Sequence, residues 1–201
     1  MADLFLIVES VNAQSFFQAG RSLFVASCLY AIETGKPTIG EALRIMTGGG
    51  NKKEFYKRAA MQTANPEVAE IFLSMADEVD KILDSYVSVI RGAGLELWLD
   101  PAVDRATQAS DFDFGTFRRE PQSLYIVVQP EHLKTLAPLI RLLFADAIAC
   151  LQRAHPGPDE PHPVMFLMDE FDQLGKQPLV LQSIKDRKST RLNSSHHSIS
   201  Y

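Results

Sequence analysis

Between Asn12 and Glu33 the apolar residues Phe16, Phe17, Leu23, Phe24, Ala26, Leu29, Tyr30 and Ile32 recur at helical spacing, which predicts a helix with more than one buried face. Gly35, Lys36 and Pro37 stop it. Thr38, with Glu41 three residues on, has the form of a capping box and opens a short helix through Ile39, Leu43 and Met46. Gly48-Gly49-Gly50 closes that helix, and another is expected from Lys52 to about Thr63. Asn65-Pro66-Glu67 then supplies a cap and a first-turn proline ahead of a longer helix running to about Ile90. Its apolar stripe is Val68, Ile71, Phe72, Met75, Val79, Ile82, Leu83, Tyr86 and Val89, and Arg91-Gly92-Ala93-Gly94 terminates it.

After Leu95–Leu99 the pattern changes. Ser123-Leu124-Tyr125-Ile126-Val127-Val128 is a β-rich apolar run between Pro121 and Pro130, the signature of a buried strand. Glu131 to about Arg153 reads as a helix, with Pro138 near its beginning, where a proline does least harm or marks a kink. A proline-rich loop from His155 to Pro163 leads into Val164-Met165-Phe166-Leu167-Met168, a second apolar run that reads as a strand. Strand, helix, strand is the βαβ unit of a parallel sheet, so the expected fold class is α/β, with an all-α first half.

Composition narrows the classes. With 46% hydrophobic and 22% charged residues, the 201-residue chain can build a core, which excludes disorder throughout. A formal charge of −5 and a pI near 5.5 exclude a uniformly basic surface that coats nucleic acid. From Asp186 onward the chain is serine-rich and lacks apolar periodicity, and it resembles translated adaptor or vector sequence. Residues 1–185 alone carry 17 Lys+Arg against 24 Asp+Glu, a net of −7. His196-His197, in that tail, lacks a third ligand and makes a poor metal site. Cys28 and Cys150 sit in apolar runs without metal-ligand spacing and are expected to be buried thiols of a reducing compartment. The N-terminus has no secretory signal pattern, and no uninterrupted apolar run approaches the roughly eighteen residues of a membrane span.

Three features invite a chemical reading. Gly48-Gly49-Gly50-Asn51-Lys52-Lys53 superficially resembles a phosphate cradle, but its glycines are contiguous, no Ser or Thr follows the lysine, and a helix precedes it. Lys52, Lys53, Lys57 and Arg58 cluster around Phe55 and Tyr56, either as a solvated face or as a nucleic-acid contact. Asp169-Glu170, directly after the second apolar run, has the hhhh-D-E form of a Walker B motif. There the first acid holds the Mg²⁺ of a nucleotide and the second activates water. An acidic helix start would look similar.

Five ordered blocks carry a resemblance. They are Ser110-Asp111-Phe112-Asp113-Phe114, Phe117-Arg118-Arg119-Glu120-Pro121, Leu124 to Leu133, Leu136-Ala137-Pro138-Leu139-Ile140-Arg141, and Pro163 to Gly175. Together they resemble the type IV secretion coupling proteins of the TraG/TraD class, the conjugative DNA-transfer ATPases. The resemblance implies a partial P-loop (RecA-like) nucleotide-binding domain with its βαβ unit, preceded by an all-α inserted domain. It places the all-α domain at 1–105, the part carrying Walker B at 106–185, and a non-native tail at 186–201. It also implies ATP and Mg²⁺ as cofactors, with Asp169 as the Mg²⁺ acid acting through water and Glu170 as the catalytic glutamate. Leu174-Gly175-Lys176 matches the stretch after the motif, with a structural role. The partners implied are DNA, a relaxase or effector substrate, secretion-channel components, and further copies in a homo-hexamer at the cytoplasmic side of the bacterial inner membrane. Arg118 and Arg119 read as surface or interdomain pairing in preference to a catalytic arginine. No G-x-x-x-x-G-K-[ST] cradle occurs in the 201 residues, so the chain reads as an internal fragment that does not hydrolyse ATP by itself. Another P-loop DNA pump, or a non-enzymatic helical adaptor whose acidic pair caps a helix, are the competing readings.

Overall fold

Local capping chemistry sets most helix starts in the first half of the chain. In the computed structural model, which describes Leu6 and residues 14–167, the chain divides after Ser110 into two compact units. In the first unit, helix α1 (Gln14–Glu33) buries Phe17, Leu23, Phe24 and Tyr30. Helix α2 (Ile39–Thr47) begins at Thr38, whose hydroxyl accepts the Glu41 N–H at 3.1 Å. Glu41 itself turns to Arg44 (2.9 Å), so one half of the expected capping box forms. Gly48 ends α2 in the left-handed region, φ 64°, where a side chain would be strained. Helix α3 (Lys52–Gln62) is capped by Asn51, and α4 (Pro66–Asp77) by Asn65 with Pro66 in its first turn.

The long helix expected to reach Ile90 is two. Helix α4 stops at Asp77, and α5 (Asp80–Gly92) starts again after Glu78 and Val79, both extended with ψ 156° and 133°. The Glu78 carboxylate accepts the Val79 N–H and the Tyr86 hydroxyl, stabilising the break, and Val79 is exposed. The buried stripe therefore resumes in a new register at Leu83, Val87 and Ile90. A 3₁₀ turn (Leu95–Leu99) and the short helix α6 (Pro101–Ala106) complete the unit.

Its core is built on aromatic contacts. Tyr56, fully buried, stacks on Phe72 with centroids 5.5 Å apart, and Tyr30 meets the Phe72 edge at 5.7 Å. Such pairs add about 0.5–1.5 kcal/mol beyond the area they bury. The Tyr56 hydroxyl donates to the Met46 carbonyl, joining α3 to the end of α2. Trp98 is buried and donates from its indole nitrogen to Thr107 Oγ1 at 2.9 Å. Helices α1 and α5 approach so closely at Gly20 that a Cβ there would lie 2.6 Å from the Tyr86 carbonyl oxygen.

In the second unit Phe114 is buried between Phe112 and Phe117, with centroids at 5.0 and 5.3 Å. A 3₁₀ turn (Pro130–His132) leads into α7 (Leu133–Gln152), which buries Ala137, Pro138, Ile140, Ala145, Ala147, Ile148 and Leu151. Pro138 is accommodated at the sixth position, where it removes one helical hydrogen bond. Over Pro130–Gln152 the mean hydropathy reaches 1.5, enough by length and composition to cross a membrane. The sequence criterion of an uninterrupted apolar run does not detect this, because the average tolerates scattered polar residues. Of that apolar window 39% is buried within the protein.

The α/β expectation is overturned. Among the described residues there is no β-strand: Ser123–Val128 and Val164–Leu167 carry no ladder, so the partial P-loop (RecA-like) domain with its βαβ unit is not what the chain forms there. An extended segment becomes a strand only when a neighbour takes up its backbone N–H and C=O groups. Among the described residues no neighbour does so for Ser123–Val128 or Val164–Leu167. Tyr125 and Val127 are 83% and 90% exposed while Leu124 and Ile126 are half-covered, a period of two with one face resting on protein. Apolar runs of this length report burial preference without supplying a pairing partner. The described part of the chain is helical in both units.

Candidate functional site

The acidic pair Asp169-Glu170 lies outside the described residues, as do Leu174-Gly175-Lys176 and His196-His197. What the structure does show is how the chain is held just before them.

Arg118 sits after the Phe112–Phe117 cluster and reaches the C-terminal end of α7. Its Nη2 donates to the Leu151 carbonyl at 2.5 Å and its Nη1 to the Ala154 carbonyl at 3.2 Å, with Glu160 Oε2 3.7 Å from Nη1. Arg119 lies on the same acidic loop, 3.2 Å from Asp159 and 3.4 Å from Glu160 Oε1. Backbone contacts reinforce this: the His162 N–H donates to the Arg118 carbonyl and the Glu160 N–H to the Gly157 carbonyl, each at 3.0 Å. The two arginines thus engage acids and helix-end carbonyls within their own unit, the pairing role read from the sequence. Asp159 and Glu160 as their partners went unnoticed there, because pairing across some forty positions leaves no mark in local spacing.

In the helical unit the basic cluster is dispersed. Lys52 pairs with Asp84 and Lys53 with Asp80 (3.1 Å), both on α5, while Tyr56 points into the core. Lys57 and Arg58 stay exposed, and Arg58 lies 5.9 Å from the Phe55 ring centroid, a cation–π contact. Two of the four cations are therefore neutralised by acids, which leaves no continuous basic stripe.

The glycine loop borders an open cleft of about 680 Å³, lined among others by Tyr30, Lys36, Arg44, Gly49, Phe55 and Arg58. Its charges are internally matched: Arg44 bridges Glu41 and Asp104 (3.2 Å), and both contacts hold its guanidinium above its ordinary pKa, Glu41 more strongly. Gly48 and Gly49 have φ near +64° and +63° and serve the turn between α2 and α3. Glu33 at the end of α1 accepts the Thr63 hydroxyl (2.5 Å) and the Ala64 N–H (2.6 Å), and these bonds lower its carboxyl pKa. Local spacing carries no mark of this tie between α1 and the α3–α4 junction.

Among the described residues no group of three His, Cys, Asp or Glu side chains could hold a metal ion. Cys28 and Cys150 are free and half-buried, less enclosed than expected. Burial pushes the Cys28 thiol up to about 11, so it is a poor nucleophile at neutral pH.

The family described as Type IV secretory system Conjugative DNA transfer matches residues 5–185, and the chain belongs to that family. The five sequence blocks are thereby borne out as a coupling-protein resemblance. The chain is 43% identical over 171 residues to Protein VirD4 of Rhizobium radiobacter, covering 85% of this chain and 25% of that protein. Protein VirD4 of Agrobacterium fabrum is also 43% identical over 85% of this chain and 26% of its own length. Conjugal transfer protein TraG of Escherichia coli is 28% identical over 60% of this chain and 20% of its own. The chain spans about a quarter of the length of the VirD4 relatives. No solved structure matches it.

Proposed function

We propose that this chain is part of an ATP-hydrolysing coupling protein that presents DNA, with a relaxase or effector, to a type IV secretion channel. The observation that carries this reading is the family match running through both units and on through the acidic pair, residues 5–185. Conjugal transfer is also what the name of the TraG relatives states.

Asp169 and Glu170 form an all-oxygen donor pair, which suits the hard cation Mg²⁺. Asp169 would hold Mg²⁺ through water, and the metal would neutralise developing phosphate charge. Glu170 would orient the attacking water and accept its proton. The homo-hexamer, the channel contacts and the position at the cytoplasmic side of the inner membrane belong to the same proposal. The 201-residue polypeptide, which contains no phosphate cradle, is expected to show no ATP turnover.

The test is made in the longer protein that carries this segment. Glu170→Gln should lower ATP turnover by about 10²–10⁴-fold, the usual contribution of a positioned general base, and should abolish conjugative transfer. Unchanged turnover would remove the catalytic assignment of Glu170, and absence of turnover in the unaltered longer protein would favour a helical adaptor.

A further inference from the structure

We propose that α6 (Pro101–Ala106) is a detachable strap, latched by Asp104 against Gly40 and Arg44, which opens while the helical core stays folded and so lengthens the connection to the second unit. None of its six side chains is buried. A helix this short does not hold its shape in water by itself, so contacts with the rest of the unit keep it closed. Those contacts are polar. Arg44 Nη1 lies 3.2 Å from Asp104 Oδ2, while its Nε is engaged by Glu41 at 2.9 Å. One residue past the helix, Thr107 Oγ1 accepts the Trp98 indole N–H at 2.9 Å.

The seat of the latch exists because a side chain is missing. Gly40 lies in the first turn of α2, and a Cβ there would stand 1.7 Å from Asp104 Oδ1. The carboxylate therefore occupies space that any other residue at position 40 would fill. The same Oδ1 is buried and has no hydrogen-bond donor among the described residues. A desolvated acceptor without a donor works against the closed form. The Arg44 side chain is 56% exposed, so salt screens the ion pair that favours closure. Elements with little buried apolar surface and exposed polar ties are the first in a fold to open. Opening has a mechanical result, because the first unit ends at Ser110, shortly beyond α6. Six helical residues span about 9 Å and six extended ones about 20 Å, so release adds roughly 10 Å of chain to the connection.

The experiment is amide hydrogen exchange on the longer protein that carries this segment, read as protection relative to intrinsic rates. Residues 104–107, where the Asp104 and Thr107 N–H groups are hydrogen-bonded to the Asp100 and Val103 carbonyls, are compared with residues 23–30 of α1. In the unaltered protein, residues 104–107 should be about a hundredfold less protected than residues 23–30, and about threefold less again when salt rises from about 50 to about 500 mM. Asp104→Asn removes the charge, and Gly40→Ala displaces the carboxylate while favouring helix α2. Each should lower protection of residues 104–107 about tenfold and leave residues 23–30 within about twofold. The double variant should lower it no further, because a carboxylate already out of its seat has no pair left to weaken. The salt effect should vanish in Asp104→Asn. Protection of residues 104–107 equal to that of α1 would make α6 a fixed part of the core and overturn the strap. Wild-type protection in both single variants would overturn the Asp104 latch. An equal loss in both segments would mean that the whole unit opens together, which overturns separate detachment.

Discussion

Gly20 offers a prediction in which two effects of opposite sign can be weighed. It lies inside α1, where glycine costs about 1 kcal/mol relative to alanine, so helix propensity alone favours Gly20→Ala. Packing opposes it. An added Cβ would stand 2.6 Å from the Tyr86 carbonyl oxygen and 2.5 Å from Ile90 Cγ1, and the carbonyl is backbone that cannot rotate away. Relief requires α1 and α5 to part by some tenths of an ångström, and overpacking of this kind costs about 1–3 kcal/mol. The net is a destabilisation of about 0–2 kcal/mol. For a unit of this size each kcal/mol corresponds to roughly 4–8 °C in melting temperature. Trp98 is the single tryptophan of the chain and is buried in this unit, so its fluorescence during denaturant unfolding reports on the affected packing. Gly92→Ala is the control. Its Cβ meets nothing within 4 Å at the end of α5, so that variant should be neutral or gain up to about 1 kcal/mol. A Gly20→Ala protein that gains about 1 kcal/mol, the full helix-propensity term, would refute the close-approach argument.

Two further perturbations probe the same unit. Tyr56→Phe keeps the ring stacked on Phe72 but leaves the buried Met46 carbonyl without its donor. It should lower stability by about 1–3 kcal/mol in the Trp98 unfolding assay. The Glu33 carboxyl has its pKa lowered from an ordinary 4.5 by the Thr63 and Ala64 bonds, so its contribution is complete above about pH 4.5 and is lost as the pH falls through the folded value. The difference in melting temperature between wild type and Glu33→Gln should therefore be constant near neutral pH and shrink on acidification, and a difference independent of pH would count against the assigned bonds.

What the sequence disclosed follows the range of the forces involved. Thr38, Asn51 and Asn65 act on N–H groups two or three residues away, so helix starts could be read directly. The break after Asp77 could not. Val79 fitted the apolar stripe, and the bonds that hold the break run from the Glu78 carboxylate to its own neighbour and to Tyr86, competing with helix continuation in a way that hydrophobic spacing ignores. Ser123–Val128 misled for a different reason: propensity describes the segment, while a strand is a property of two segments. The partners of the basic cluster were hidden for a like reason, since Asp80 and Asp84, which pair with Lys53 and Lys52, lie some thirty positions away. The coupling-protein resemblance succeeded because it rested on the order of five blocks, which survives errors in any one of them.

The composition and exposure of Ser123–Val128 have a practical consequence. Six consecutive uncharged residues, rich in Leu, Tyr, Ile and Val and free of proline, have no ladder partner among the described residues, with Tyr125 and Val127 facing water. Copies of this polypeptide purified by themselves can pair through that hexapeptide, and a rise in light scattering with protein concentration would begin there. A lysine in place of Val127 acts as a gatekeeper against such stacking without touching either unit's core.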